Sequence, residues 1–455
     1  MTALAVYLHG FGVRYDLPIS LSLYLYAAAG VVVISFVMVV VFAGDQVGAR
    51  AVRYPRREAP WLTVLTSSPV VLWTGRALGL LGLLAIIVTG LLGDETDPTK
   101  NPAEYLLWIW FWAGLVILSG LVGNLFAWLS PFSALWALIG RGVEPTRTLP
   151  ERIGIWPAVL LYFGFACLEL TSGVANRPWV VAVLSLLYTA LTVFGMAFYG
   201  RAWLDRCEAF TVLFSIVGRF GPVEVEEGRA YLRPWGTGLL KRIAAGWDWI
   251  VFIVLMLSTL AFDGILATPL WQSITLGTLP LWGPLGAWGI VILKTLGMVV
   301  LTGLFLLVFT VIMRLVILFG ARRVETLSTT TLFALTLVPI ALVYNAAHNY
   351  AYLTVQAQAL IPLLADPLHR GWNLVPTAGY KPSFALAGAA TVWYAQVVLI
   401  VLGHVIAVWL AHLRAGERFR SARNALLSQY PMLLLMVLYT MTSLWILAQP
   451  ITRES

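Results

Sequence analysis

Ten apolar segments, each long enough to cross a lipid bilayer, constrain this chain more than any other feature. A helix needs about 20 predominantly apolar residues to span a hydrocarbon core roughly 30 Å thick, whereas a membrane β-barrel shows shorter alternating segments. The sequence therefore predicts an all-α, polytopic helical membrane protein that forms a single domain of about ten transmembrane helices. The predicted spans are approximately 21–44, 69–93, 105–128, 153–172, 178–199, 246–263, 290–318, 330–354, 391–413 and 431–449.

The composition agrees with this assignment. Of the 455 residues, 60% are hydrophobic and 11% are charged, against about half and about a quarter in soluble proteins. These proportions exclude a soluble globular domain, a disordered chain and a nucleic-acid-binding module. The net charge of +8 is explained by the arrangement of the basic residues among the loops.

The distribution of basic residues predicts the orientation in the membrane. The loop after the first span carries Arg50, Arg53, Arg56 and Arg57, whereas the next loop contains the acidic run 94–97. Cytoplasmic loops are enriched in Lys and Arg, so the first loop is assigned to the inside. Extending the alternation places 20 basic residues in inner loops and 7 in outer segments, which predicts that both termini lie outside.

Three segments between the spans are longer than a simple turn. In the inner segment 200–244, residues 210–220 are typical of an interfacial helix on the inner leaflet, with a plain linker as the alternative. The outer segment 264–289 contains several Trp, Gly and Pro residues and is expected to lie on the headgroups or to dip into the membrane. The outer segment 355–390 carries His369.

The eighth predicted span carries a row of polar residues. Asn345, His348, Tyr352 and Gln356 are spaced 3, 4 and 4 residues apart, which places them on one face of a continuous helix. Polar groups in hydrocarbon are costly and mark functional sites by default. The row is interpreted either as a contact between helices or as the lining of a pocket or pathway.

Other polar side chains are predicted at a similar depth, in the outer half of the membrane. Asp263 and Glu169 lie toward outer span ends. The simpler interpretation of Asp263 is a residue of an interfacial turn, and that of Glu169 is a solvated carboxylate. His404 lies near the middle of the ninth span, where a hydrogen bond between helices is the alternative. An outward-facing pocket is predicted that can also include Lys294, Gln396, His9, Arg14 and His369.

Histidines with nearby carboxylates suit a catalytic zinc or a similar divalent ion, which would activate a bound water. The candidate metal ligands are His348, His404, His9 and His369. His348 and His404 could instead bind a b-type haem as its two axial ligands. No short metal, phosphate-loop or nucleophile motif is present in the sequence, so the residue pattern leaves the cofactor open.

Several long stretches of the chain resemble the bacterial integral-membrane proteins named fenitrothion hydrolase, and the similarity covers nearly the whole sequence. The stretches are HGFGVRYDLPISLSLYLY, LPERIGIWPAVLLYFGFACLEL, FGMAFYGRAWLDRCEAFTVLFSIVGRF, FDGILATPLW, GHVIAVWLAH and SQYPMLLLMVLYTMTSLWILAQP. The resemblance implies a multi-pass protein of the bacterial cytoplasmic membrane. It also implies hydrolysis of an aryl phosphorothioate ester, a lipophilic small molecule.

In such an enzyme, His348 and His404 would act as metal ligands or as the base, with Asp263 or Glu169 as a further ligand. Arg14 or Lys294 would stabilise developing charge, and the substrate would lie among the residues Asn345, Tyr352, Gln356 and Gln396. The family motif in the eighth span often reads Tyr-His-x-x-His. Here it reads Tyr344-Asn345-Ala-Ala-His348, so one potential ligand of the family is replaced.

Two hypotheses follow. The first is a metal-assisted ester hydrolase whose site opens to the outer face. The second is a non-hydrolytic protein, either a transporter, a haem- or copper-binding protein or a subunit of a respiratory complex. Pro157 and Pro339 favour the second, because interrupted helices often build transport sites. The predicted partners are the lipid bilayer and a lipophilic small molecule, with no nucleic acid.

Overall fold

The computed structural model describes residues 15–16, 20–43, 55–140, 145–320, 324–419, 421–449 and 452–453. Within these residues, ten helices are long and apolar enough to cross a membrane, which confirms the predicted all-α, polytopic architecture. They are α1 (Leu21–Val41), α2 (Pro69–Leu92), α3 (Pro102–Val122), α4 (Glu151–Leu170), α5 (Pro178–Tyr199), α6 (Trp247–Leu266), α7 (Ala287–Gly320), α8 (Thr326–His348), α9 (Ala389–Arg418) and α10 (Ala422–Ala448).

Two of these helices are not uniform. The central part of α3, Tyr105–Leu115, is a π-helix, a rare form that is usually limited to a single turn. In α8, a 3₁₀ turn at Leu335–Leu337 separates Thr326–Ala334 from Val338–His348, next to the proline that the sequence places inside this span. Shorter α-helices cover Pro60–Ser67, Phe126–Leu129, Pro131–Ile139, Arg201–Arg206, Ala209–Val217, Pro269–Trp282, Tyr350–Thr354 and Leu360–Leu363.

The strands are few and short. β1 (Tyr15–Asp16) pairs in parallel with β5 (Thr452–Arg453). This pairing brings the two terminal segments to the same end of the helices, as an even number of spans requires. A second sheet has the order β2–β4–β3, from β2 (Arg57–Glu58), β3 (Val223–Glu226) and β4 (Arg229–Leu232).

The chain divides into two compact units. Unit 1 comprises Met1–Tyr54, Leu239–Tyr350 and Ala385–Ser455, and unit 2 comprises Pro55–Gly238 and Ala351–Phe384. Unit 1 therefore contains α1 and α6 to α10, and unit 2 contains α2 to α5.

Helices α8 and α6 form the centre of unit 1. In the most apolar stretch of 18 residues of each helix, 83% of the residues of α8 and 67% of those of α6 are buried. Helix α8 packs along α9, which in turn packs along α10. At the crossing of α8 and α9, a Cβ atom at Gly403 would overlap the side chain of Val343. The absence of a side chain at Gly403 therefore allows these two helices to approach closely.

In unit 2, the helix Ala209–Val217 is buried on nearly all sides. Its Phe210 and Phe214 pack against rings from other helices, including Phe111 and Phe165. The carboxylate of Glu208 caps the helix by accepting hydrogen bonds from the backbone N–H groups of residues 210 and 211. Most of the segment predicted to lie on the inner leaflet is thus buried within unit 2, and Thr211 and Ser215, four residues apart on one face, are the less buried residues of the helix.

Several span ends differ from the prediction. Helix α3 ends at Val122 rather than near residue 128, and α8 ends at His348 rather than near 354. Helix α10 begins at Ala422, before Pro431, which is accommodated inside the helix. The outer segment 264–289 contains the helix Pro269–Trp282, whose Trp271 is buried against Phe262.

Candidate functional site

An aspartate and a histidine from two central helices of unit 1 form a close pair. Asp263 lies in the last turn of α6, and His348 is the final residue of α8. The Nε2 atom of His348 is 2.7 Å from Oδ2 of Asp263, and the two side chains are only 8% and 23% exposed. A pair of ionisable side chains at this distance can share a proton and limits the cost of keeping charge in an apolar environment.

The local sequence explains why α8 ends at His348. Asn349 leaves the helical conformation, with φ −91° and ψ 11°. Its side-chain amide donates hydrogen bonds to the backbone carbonyl of Asn345, at 3.1 Å, and to Oδ1 of Asn345, at 2.8 Å. The backbone N–H of Asn349 also donates to the carbonyl of Asn345, at 3.0 Å, so Asn349 makes three hydrogen bonds to Asn345 at the helix end. The side chain of Asn345, predicted as a substrate contact, is used here to terminate the helix.

The end of α8 also changes the interpretation of the polar row. Because the helix stops at His348, Tyr352 and Gln356 do not continue the same helical face. Tyr352 lies in the short helix Tyr350–Thr354, and Gln356 begins a 3₁₀ turn. Both residues belong to unit 2. The prediction of one continuous face was therefore wrong, because Asn345 and Asn349 form a cap that the spacing alone does not reveal.

Lys294 adds a positive charge to the same region of unit 1. It is partly buried near the start of α7, and its charge interacts with that of Asp263. The structure thus brings Asp263 and His348 into contact, and it places Lys294 on α7, a helix that packs against α6.

Tyr344 lies one helical turn before His348, and the two rings stack with centroids 6.1 Å apart and planes inclined by 12°. Its hydroxyl is buried and has no hydrogen-bond partner among the described residues. A Cβ atom at Gly264 would lie 2.8 Å from this hydroxyl, so the glycine that follows Asp263 leaves room for it. In the sequence, Tyr344 stands out only as the first residue of the motif Tyr344-Asn345-Ala-Ala-His348 and has no predicted role.

Two predicted residues of α9 face the interior of unit 1. Gln396 donates a hydrogen bond from Nε2 to the carbonyl of Ala347 in α8, at 3.1 Å. His404 is fully buried, and its Nδ1 is 2.8 Å from the carbonyl of Ile400 in the same helix. The bond predicted for His404 between helices is therefore made within α9.

The Nε2 atom of His404 has no partner among the described residues. A histidine whose Nδ1–H is held by a carbonyl presents a free Nε2, which is the usual arrangement of a metal ligand. However, in the part of the chain that the structure describes, no group of three or more His, Cys, Asp or Glu side chains could hold a metal ion.

The remaining predicted residues do not belong to this cluster. Glu169 is partly buried near the end of α4 in unit 2. His369, also in unit 2, is 3.7 Å from Asp94 and about half exposed. Hydrogen bonds from residues 96 and 97 lower the pKa of Asp94 to about 2. His9 and Arg14 lie outside the described residues.

A small cavity lies beside Tyr344, between α6, α7, α8 and α10. Its volume is about 10 Å³, which is close to the minimum for one water molecule. Four of its nine lining residues carry hydroxyl groups. They are Tyr344, Tyr439, Thr442 and Ser443.

A second charged cluster of unit 1, which was not predicted from the sequence, lies at the opposite end of α9 from Gln396. Arg414 is 1% exposed and lies 2.7 Å from Glu417, which also contacts Arg242 at 2.7 Å. Arg414 donates a further hydrogen bond to the carbonyl of Leu239. The spacing of Arg414 and Glu417 on one helix was the available signal. These bonds tie the end of α9 to the segment that precedes α6.

Comparison of the chain with protein-family models, with curated proteins and with solved structures gave no match.

Proposed function

We propose that this membrane-spanning helical protein is a transport protein in which the Asp263–His348 pair binds and releases a proton. The observation that carries the proposal is the 2.7 Å contact between these side chains in the bundle of unit 1. Ionisable residues paired inside transmembrane bundles are typical of proton relays in pumps and transporters.

The charge balance supports this role. With a neutral imidazole, the pair carries one negative charge, which Lys294 offsets. A proton bound by the pair neutralises it and leaves the charge of Lys294 uncompensated. In a low-dielectric environment, this change in charge alters the difference in free energy between alternative arrangements of the helices. Proton binding can therefore favour one arrangement of α6, α7 and α8 over another, so that the pair can take up a proton from one side of the membrane and release it to the other.

The experiment uses the full-length protein in liposomes that contain a pH-sensitive dye, with a potassium gradient and valinomycin to impose an inside-negative potential. We expect acidification of the lumen with wild-type protein and its loss in His348→Asn and Asp263→Asn. The matched control is His369→Asn, because His369 also pairs with an aspartate but in an exposed segment. Equal acidification in the wild type and in His348→Asn would contradict the proposal.

A second candidate is the ester hydrolase implied by the family resemblance, and the same pair is the observation that favours it. A carboxylate that orients a histidine can create a general base for an attacking water. This candidate predicts release of nitrophenolate from an aryl phosphorothioate ester, with loss in His348→Asn and retention in His369→Asn. No release above that of protein-free detergent micelles, with or without added zinc, would reject it.

A further inference from the structure

The charged cluster around Glu417 lies where several helices of unit 1 begin or end. It joins the last turn of α9 to the segment before α6 and to the start of α8, and α10 begins four residues after α9 ends. This is the opposite end of α6 and α8 from the Asp263–His348 pair. The predicted orientation assigns it to the cytoplasmic side, where basic pockets between transmembrane helices bind anionic lipid headgroups.

Arg242 is an exposed arginine whose orientation is fixed by the protein. Its Nε and Nη2 atoms donate hydrogen bonds to Oε1 of Glu417, at 3.2 and 2.7 Å. Glu417 is itself held, because its Oε2 accepts a hydrogen bond at 2.7 Å from Arg414, which is 1% exposed. The two bonds to Glu417 use one edge of the Arg242 guanidinium, and its side chain is 70% exposed. The edge that carries Nη1 is therefore accessible to a ligand and held in place before the ligand binds.

The charge of this region favours an anion. The segments 239–248, 324–330 and 414–423 carry six basic residues and three acidic ones. Arg418 contacts no carboxylate in the part of the chain that the structure describes, since it donates to Oγ1 of Thr329, at 2.7 Å, and to the backbone carbonyl of Glu325, at 3.2 Å. An anion beside Arg242 is therefore attracted by more positive charge than Glu417 offsets.

The depth of the cluster favours a lipid over a soluble anion. Trp247 is the first residue of α6 and is 48% exposed, and tryptophans concentrate at the membrane–water interface. Arg242 precedes it by five residues and so lies at the level of the lipid headgroups. The planar guanidinium of arginine matches the geometry of a phosphate group.

We propose that this end of unit 1 binds the headgroup of an anionic phospholipid of the cytoplasmic leaflet, and that the lipid phosphate accepts a hydrogen bond from Arg242. Glu417 and Arg414 position the guanidinium, and the charge of Arg418 adds to the attraction. The bound lipid connects the membrane to the cluster that ties α9 to the segment before α6.

The site is tested by native mass spectrometry of the full-length protein, delipidated in mild detergent and titrated with phosphatidylglycerol or with zwitterionic phosphatidylcholine. We expect the wild type to bind a first molecule of phosphatidylglycerol more tightly than one of phosphatidylcholine. Arg242→Gln should raise the Kd for phosphatidylglycerol roughly tenfold, because one charge-assisted hydrogen bond is lost. The matched control is Arg201→Gln, since Arg201 is also exposed and also pairs with a carboxylate, that of Asp205, but in unit 2. Its Kd should equal that of the wild type.

Three results would overturn the site. The first is equal affinity of the wild type for the two lipids, and the second is an unchanged Kd in Arg242→Gln. The third is the same loss in Arg201→Gln, which would indicate attraction to any basic surface. Inorganic phosphate is added in a separate titration, and displacement of phosphatidylglycerol by an equal concentration of phosphate would assign the site to a free anion instead of a lipid.

Thermal unfolding in the same detergent guards against a misfolded variant. In Arg242→Gln, Glu417 keeps its contact with Arg414, so we expect the fold to be retained. A ligand that binds only the folded state stabilises it. Phosphatidylglycerol should therefore raise the melting temperature of the wild type and of Arg201→Gln more than that of Arg242→Gln, and an equal rise in all three would contradict the site.

The lipid site is independent of the proposed transport function. It shares no residue with the Asp263–His348 pair, and lipid binding is measured without a proton gradient. A wild type that moves no protons would leave the lipid site standing, and a wild type that does not prefer phosphatidylglycerol would leave the transport function standing.

Discussion

The close approach of α8 and α9 makes Gly403→Ala a sensitive test of how unit 1 is packed. A Cβ atom at this position would overlap Cγ2 of Val343 and lie 3.1 Å from both Cβ and Cγ1 of the same residue. Carbon atoms make favourable contacts at about 3.5–4.0 Å, so the two helices would have to separate or Val343 would have to change its rotamer. Overpacking of this kind costs about 1–3 kcal/mol.

The separation should also affect the candidate site. The hydrogen bond from Gln396 to the carbonyl of Ala347 joins the same two helices, close to His348. We therefore expect Gly403→Ala to be destabilised by about 2 kcal/mol, in line with other overpacked cores. The free energy of unfolding is measured by denaturant titration in mixed micelles.

The double variant Gly403→Ala, Val343→Ala supplies the control. Val343→Ala removes the atoms that the new methyl group would meet, so the two changes should compensate. We expect the double variant to lose less stability than the sum of the single variants, with a coupling of about 1 kcal/mol. Additive losses, or a Gly403→Ala variant as stable as the wild type, would refute the packing described for α8 and α9.

Three further predictions concern other parts of the molecule. Glu417→Gln should destabilise the protein by about 3 kcal/mol because it leaves the buried Arg414 without its ion-pair partner, whereas Asp205→Asn, in an exposed pair, should cost at most about 1 kcal/mol. Denaturant titration checks both values. The folded-state pKa of Asp94 is lowered from 3.8 to about 2, so its stabilising contribution is fully present above pH 3.8 and is lost as the pH falls through about 2. The difference in melting temperature between the wild type and Asp94→Asn should therefore disappear toward pH 2, and a difference that is independent of pH would contradict this assignment. If both termini lie outside, a C-terminal tag should be cleaved by protease added to intact spheroplasts, and a protected tag would reverse the predicted orientation.

The sequence was sufficient to predict the helical architecture because the hydropathy and the length of each apolar segment follow directly from the consecutive residues within it. The positions of Asp263, Lys294 and His348 near helix ends could be predicted for the same reason, since each lies near the end of an apolar run. Their contact needed the packing of α6, α7 and α8, which no single-segment pattern specifies.

Other features depend on contacts that hydropathy does not encode. The end of α8 is determined by the side chains of Asn345 and Asn349, so the predicted row of four polar residues was broken after two. The helix at Ala209–Val217 was assigned to the membrane surface because its residues are apolar, and only its aromatic neighbours show that it is buried in unit 2. The unpaired hydroxyl of Tyr344 is likewise a property of the packed structure.

The most direct test of the central claim is the protonation state of His348 in the folded protein, measured by ¹⁵N nuclear magnetic resonance of histidine-labelled protein in lipid. The chain has only five histidines, and His348→Asn identifies the signal. If the Asp263–His348 pair binds and releases a proton, the His348 signal changes between its neutral and protonated forms within the pH range in which the protein stays folded, and Asp263→Asn alters this transition. A His348 signal that keeps one form throughout this range would contradict the account.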